Sequence, residues 1–147
     1  MGNVVSANLG QAPSRQAALG AGLKESTVCT TINKVCASGM KSVTLGAQSI
    51  MLGYHSIVVS GGMENMSRAP FYVDARRSAL RFGDNQLIDA VLNDGLWDPK
   101  YQIHMGKCAE ETAKKYSIDR QSQDAYARKS YERAALAVST GKFKAEI

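Results

Sequence analysis

The stretch Thr27-Val28-Cys29-Thr30-Thr31-Ile32-Asn33-Lys34-Val35-Cys36-Ala37-Ser38-Gly39-Met40 decides the fold. Its first nine residues concentrate Val, Thr and Ile, which suit a pleated strand. The small residues from Cys36 to Gly39 permit a sharp turn. Met40, Val43, Ala47, Ile50 and Met51 then recur at spacings of three and four, which predicts a helix with one apolar face. Gly53 is expected to end it. Ser56-Ile57-Val58-Val59-Ser60 reads as a second short strand, closed by Gly61-Gly62. A strand, a helix and a strand in this order predict parallel strands joined by a right-handed crossover. Such sheets are covered on both faces, which explains apolar strands without clean alternation. The fold class is α/β, with a mostly parallel sheet.

Outward from this unit, residues 14–23 read as a short helix opened by Pro13 and broken by Gly20 and Gly22. Residues 68–101 are irregular, punctuated by Pro70, Gly83, Gly95 and Pro99, with a short helix expected over residues 86–92. Two further helices are expected, one around residues 106–116 and one from the N-cap Asp119 to about Thr140, stopped by Gly141. Ala125, Tyr131, Ala134, Ala135 and Val138 give the last helix a small-residue packing face. The texture divides the chain into an α/β part, residues 1–67, and a mainly helical part, residues 68–147. Met1 is followed at once by Gly2-Asn3-Val4-Val5, which reads as a strand already under way. Both ends are expected to be cuts through a larger protein, so no targeting segment is legible.

A chain of 147 residues is long enough for one domain with a sizeable core. With 44% hydrophobic and 21% charged residues it has the balance of a globular protein rather than a disordered one. No apolar run approaches the roughly 20 residues of a membrane span. The net charge of +5 would suit an anionic ligand, yet the charges are dispersed apart from Arg76, Arg77 and Arg81, with Arg68 upstream. No nucleic-acid module spacing or interleaved aromatics accompany them, so a nucleic-acid partner is not expected. Three cysteines, an odd number, argue against a disulfide framework, and no C-x-x-C or H-x-x-x-H spacing predicts a zinc site. A reducing compartment with free thiols follows.

Cys36 is the most informative residue for chemistry. It stands between a predicted strand and a predicted helix, where unpaired backbone N–H groups and the positive end of the dipole favour a thiolate. The carboxyl end of a strand in an open parallel sheet is also where ligands bind. On spacing alone a cysteine in such a segment is more often an inert core residue, because free Cys is among the most buried residue types. Cys29, inside the strand, is expected in the core, and Cys108 to pack near a helix start. His55 reads as satisfied at a helix end, His104 as a hydrogen-bonded surface histidine, and Met105 as packing.

The segment Asn33-Lys34-Val35-Cys36-Ala37-Ser38-Gly39-Met40-Lys41 closely resembles the nucleophile segment of thiolases. Gly10-Gln11-Ala12-Pro13-Ser14-Arg15-Gln16-Ala17 resembles the segment upstream of it, and Gly61-Gly62-Met63-Glu64-Asn65-Met66-Ser67 the glycine-rich end of the next strand. His104-Met105-Gly106 with Ala109-Glu110, Gln123-Asp124-Ala125-Tyr126-Ala127 and Gly141-Lys142-Phe143 resemble the family's loop domain, in order. The resemblance covers essentially the whole chain and is nearest to the acetyl-CoA C-acetyltransferase branch of mitochondrial type.

That resemblance implies a thiolase-like fold, with residues 1–67 as part of the N-terminal domain and 68–147 as an incomplete loop domain. It implies a two-step acyl transfer. Cys36 takes an acetyl group from acetyl-CoA, and a second acetyl-CoA, deprotonated at its methyl carbon, attacks the thioester to give acetoacetyl-CoA; the reverse is thiolysis. Leu96, His104 and Met105 match positions along the pantetheine arm and over the acyl pocket, the methionine suiting short acyl groups. Tyr131 matches a tyrosine that helps hold a potassium ion, although packing explains its place equally well. Coenzyme A enters as substrate, no prosthetic group is implied, and the partner is expected to be a second copy, in a dimer or tetramer. The compartment implied is mitochondrial, with the cytoplasm as the alternative. The family's Gly-His-Pro histidine, its second cysteine and its Asn-Glu-Ala-Phe segment are absent from these 147 residues, so the chain alone is expected to be inactive. Two other readings stand beside this one: a degradative 3-ketoacyl-CoA thiolase with longer substrates, and a non-catalytic chain that binds a full-length subunit.

Overall fold

The computed structural model describes residues 1–74 and 82–147. The arginine cluster Arg76, Arg77 and Arg81 lies outside the described residues. The chain forms two compact units, residues 1–102 and 103–147.

In the first unit, residues 1–3 run between two other extended segments. Met1 N donates to the Thr30 carbonyl at 2.9 Å, the Ile32 N–H to Met1 at 3.0 Å, and the Asn3 N–H to Ile32 at 3.0 Å. On the other side the Gly2 N–H donates to the Gly61 carbonyl at 2.8 Å, and the Gly2 carbonyl accepts from the Met63 N–H at 2.9 Å. Both pairings are parallel. The segments at Ile32 and Gly62 are therefore each parallel to a common middle segment, but they pair through single bridges rather than the strands expected over residues 27–35 and 56–60. Nor is the sheet covered on both faces: Ile57 and Val59 stand 84% and 75% exposed.

Helix α1, Pro13–Gly20, begins at the expected proline and is anchored by Ser14, whose hydroxyl meets that of Thr31 at 2.8 Å. Helix α2, Ser38–Met51, ends as expected at Gly53, which takes φ 73, a conformation glycine adopts freely. Tyr54 N–H reaches back to the Ser49 carbonyl and Gly53 N–H to Ile50, both at 3.0 Å, which satisfies the last turn.

The face by which α2 docks differs from the expected one. Ser38, Ser42 and Gly46, spaced four apart, are buried, while Met40, Val43, Ile50 and Met51 are exposed. Small side chains allow backbone-to-backbone approach. A Cβ added to Gly2 would lie 2.4 Å from the Ser38 carbonyl carbon. The Ser42 hydroxyl donates to the Gly61 carbonyl at 2.7 Å, which fixes the contact. The expected sizeable core is not seen: among the described residues the buried apolar side chains are Val5 and Ala90, and the largest fully buried side chain is Asn3.

Later in this unit, β1 (Phe71–Tyr72) pairs antiparallel with β2 (Ile88–Asp89). The helix expected over residues 86–92 is displaced. Residues 88–89 are extended, and a wide helical turn instead spans Leu92–Leu96. The Asp89 carboxylate explains the shift, since it accepts from the N–H groups of Val91 at 2.7 Å and Leu92 at 3.1 Å and so caps the turn after it.

The second unit holds α3, Met105–Lys115, and α4, Arg120–Ser139. Asp119 caps α4, accepting from Ser122 N–H at 2.7 Å, and Gly141 ends it with φ 71, both as expected. The expected packing face of α4 is not buried: Tyr131 and Val138 are 79% and 68% exposed.

Candidate active site

Cys36 sits two residues before the first turn of α2 and is exposed. The preceding residue, Val35, has φ 48. This left-handed conformation is uncommon for any residue but glycine and strained for a β-branched one. It makes the sharp turn that carries the chain from the extended segment into the helix with the thiol outside both. Val35 is held on each side. Its N–H donates to Asn33 Oδ1 at 2.9 Å, and its carbonyl accepts from the Ser38 N–H at 3.0 Å and the Ser38 hydroxyl at 2.5 Å.

Cys36 lines a cavity of about 410 Å³ together with Gly2, Asn3, Gly39, Glu64 and Leu96. The first turn of α2 offers backbone N–H groups without intrahelical acceptors and the positive end of the helix dipole, both suited to a thiolate or a developing oxyanion. Opposite it, Glu64 is turned away from the thiol's chemistry toward the chain's first residues. It accepts from the N–H groups of Val4 at 2.8 Å and Val5 at 3.2 Å and from Asn3 Nδ2 at 3.1 Å. Asn3 also donates to the Met63 carbonyl at 3.0 Å and accepts from the Ser6 hydroxyl at 2.5 Å.

The structure thus brings Cys36 and Leu96 to one cavity. His104 and Met105 belong to the second unit. His104 is the N-cap of α3, its Nδ1 accepting from Gly106 N–H at 2.8 Å, and Met105 follows it at 36% exposure. Tyr131 projects from the exposed middle of α4. No group of three His, Cys, Asp or Glu side chains that could hold a metal ion is gathered among the described residues. Cys29 and Cys108 are half-buried rather than in the core, Cys29 donating weakly to the Thr27 carbonyl at 3.4 Å. His55 meets the Ser49 hydroxyl at 2.6 Å near the end of α2, as expected.

Sequence reasoning gave no role to Asn3, Asn33, Ser38 or Glu64. The signals were present: an acid directly after Gly61-Gly62-Met63, and small residues at 38, 42 and 46 on one side of a helix.

The family model for the thiolase N-terminal domain matches residues 1–147. The chain is 57% identical over 147 residues to acetyl-CoA acetyltransferase of Schizosaccharomyces pombe, covering 100% of this chain and 37% of that protein. It is 56% identical over 146 residues to acetyl-CoA acetyltransferase 2 of Arabidopsis thaliana, covering 99% of this chain and 36% of that one. Against the human mitochondrial acetyl-CoA acetyltransferase the identity is 52%, over 100% of this chain and 34% of the relative. Among solved structures, the Acat5 thiolase of Ascaris suum in complex with coenzyme A matches with a TM-score of 0.90 and 47% identity, over 99% of this chain and 38% of that one. The chain belongs to the thiolase family and has part of the fold of its N-terminal domain. It spans a little over a third of the length of the curated relatives it matches.

Proposed function

We propose that this chain is the nucleophile-bearing part of an acetyl-CoA C-acetyltransferase, with Cys36 as the acyl carrier. The observation that carries the reading is Cys36 itself, exposed in a cavity at the turn into α2 and held there by a strained, doubly bonded Val35. The names of the relatives and the coenzyme A bound to the Ascaris thiolase support a thioester substrate.

Cys36 thiolate attacks the acetyl carbonyl carbon of acetyl-CoA, and the tetrahedral oxyanion collapses with loss of the coenzyme A thiolate, which is protonated. The acetyl group is now a thioester on Cys36. A second acetyl-CoA, deprotonated at its methyl carbon, attacks that carbonyl, and Cys36 leaves as thiolate to give acetoacetyl-CoA. A thiolate serves because it is both a good nucleophile and a good leaving group. In this reading the oxyanion would be stabilised by free backbone N–H groups at the start of α2. Proton transfer at the substrate carbon falls to residues beyond these 147, so the chain alone is proposed to be inactive.

The remaining assignments are part of the same proposal: residues 1–67 and 68–147 as portions of the N-terminal and loop domains, Leu96, His104 and Met105 along the pantetheine arm and acyl pocket, and Tyr131 as one ligand of a potassium ion. So are a homo-oligomer and a mitochondrial location, the latter supported by the names of several relatives. The exposed apolar stripe of α2 favours a chain that packs on further polypeptide, in the complete protein or in a second subunit.

The test uses the complete protein containing this chain, incubated with labelled acetyl-CoA and mapped by mass spectrometry. Label is expected on Cys36 and is lost in Cys36→Ser. A folded, complete protein that takes no label at Cys36 sinks the reading, and turnover by the pure 147-residue chain sinks the claim of inactivity.

A further inference from the structure

We propose that Asn33 is a positioning residue that places Cys36 by clamping Val35 in its left-handed conformation, an inference that rests on Cys36 being the nucleophile. Val35 has φ 48, where a valine is held against its own preference. Such a conformation persists when its surroundings over-determine it. Here both peptide groups of the residue are engaged. The N–H donates to Asn33 Oδ1 at 2.9 Å, and the carbonyl takes the Ser38 N–H at 3.0 Å and the Ser38 hydroxyl at 2.5 Å. The Ser38 hydroxyl also accepts from Lys34 N–H at 2.8 Å, which closes the turn on itself.

Asn33 ties this turn to something outside it. Its Nδ2 donates to the Val4 carbonyl at 3.3 Å, and Val4 N–H is held by Glu64 Oε2 at 2.8 Å. The clamp is thus referred to the segment that forms the opposite wall of the cavity, since Val4, Glu64, Val35 and Cys36 all line it. Released, Val35 relaxes toward an ordinary extended or helical conformation, the peptide that follows rotates, and the thiol leaves its place. Asn33 touches no reacting atom in this scheme and acts through Val35.

The scheme has a signature that a general stabilising role lacks. Glycine takes φ 48 without strain, so a Val35→Gly background needs the clamp less. In the complete protein, Asn33→Ala is expected to slow the saturated rate of Cys36 acetylation by acetyl-CoA roughly 10- to 100-fold, with the half-saturating concentration unchanged. Asn33→Asp, which keeps the acceptor for Val35 N–H, retains most of the rate. In the Val35→Gly background the further loss from Asn33→Ala falls below roughly fivefold. The same loss in both backgrounds overturns the proposal, as does a raised half-saturation at an unchanged rate, which would make Asn33 a substrate contact. Amide exchange at Val35 in the wild-type protein decides the matter without variants or turnover. Protection of about tenfold over a free peptide is expected from the Asn33 bond. Exchange at the free-peptide rate overturns the clamp. If wild-type Cys36 takes no acetyl group the proposed function fails, and the exchange result still stands on its own.

Discussion

Asn3 and Glu64, 61 residues apart in the chain, share a hydrogen bond of 3.1 Å that holds one wall of the cavity. Glu64 accepts two backbone N–H groups as well, so one carboxylate ties residues 3–5 to the end of the Gly61-Gly62 segment. Hydrogen bonds to an ionised acceptor are stronger than neutral ones. In the complete protein Glu64→Ala is expected to cost about 1–3 kcal/mol in urea unfolding, and Glu64→Gln less, since the amide oxygen still accepts. An unchanged midpoint for Glu64→Ala would show that the bonds do not contribute.

Gly2 and Gly20 should respond in opposite senses to the same substitution. A Cβ at Gly2 would lie 2.4 Å from the Ser38 carbonyl carbon and 2.5 Å from the Gly39 nitrogen, both backbone atoms that no rotamer change can move. Gly2→Ala therefore pushes on the start of α2, with an expected loss of about 1–3 kcal/mol and slower acetylation of Cys36. Gly20, at the end of α1, has nothing within 4 Å. Gly20→Ala is expected to gain about 0.4–1 kcal/mol through the unfolded chain. Thermal unfolding of the two variants side by side checks both signs.

The Tyr72 hydroxyl donates to the Asp94 carboxylate. That bond first, then desolvation and the Asp94 charge, push the phenol up to about 12 from its usual 10.0. The folded state thus holds this proton more tightly than the unfolded one. Its contribution is complete below pH 10.0, fades as pH rises, and is gone once the folded group ionises near 12. Phenolate absorbance of the wild type minus that of Tyr72→Phe is expected to titrate about 12. A difference centred at 10.0 would mean the bond is not formed. Because Val91, Gly95 and Leu96 flank Asp94 and line the cavity, the same variant is expected to weaken discrimination between short and longer acyl-CoA.

At the other unit, the Asp119 carboxyl is held below its usual value by hydrogen bonding to the Ser122 side chain and backbone. A lowered value means the cap is fully effective above the unfolded value of 3.8 and is lost as pH falls through the folded one. Acidification followed by far-UV circular dichroism is expected to fray α4 in the wild type. Asp119→Asn, whose amide oxygen can cap without titrating, should show the smaller change. Identical curves would argue against the cap.

Local signals made much of this legible. Pro13, Asp119, Gly53 and Gly141 act within a few residues of where they stand, and the helices begin and end close to where they predict. The turn at Cys36 was readable too, because a β-rich run passes into small residues and then into a helical period. What failed depended on distant partners or on burial. The Gln86-to-Leu92 segment carries a helical pattern, yet Ile88 pairs with Tyr72, and Asp89 starts the turn later. The apolar stripe of α2 looked like its docking face, while close backbone approach selected Ser38, Ser42 and Gly46. Nothing in a valine announces φ 48, and the Asn33 and Ser38 bonds that hold it are visible only in three dimensions.

The middle position of residues 1–3 also orders events during synthesis. Gly2 takes its partners from residues 61 and 63, and its neighbours Met1 and Asn3 take theirs from Thr30 and Ile32. A nascent chain emerging at about 5–20 residues per second must carry the Gly2 side of this segment unpaired for several seconds until Met63 has followed. Non-local closure of this kind is slow, because the loop entropy is lost before the contacts form. The growing chain therefore holds its future middle segment one neighbour short until residues 61–63 arrive.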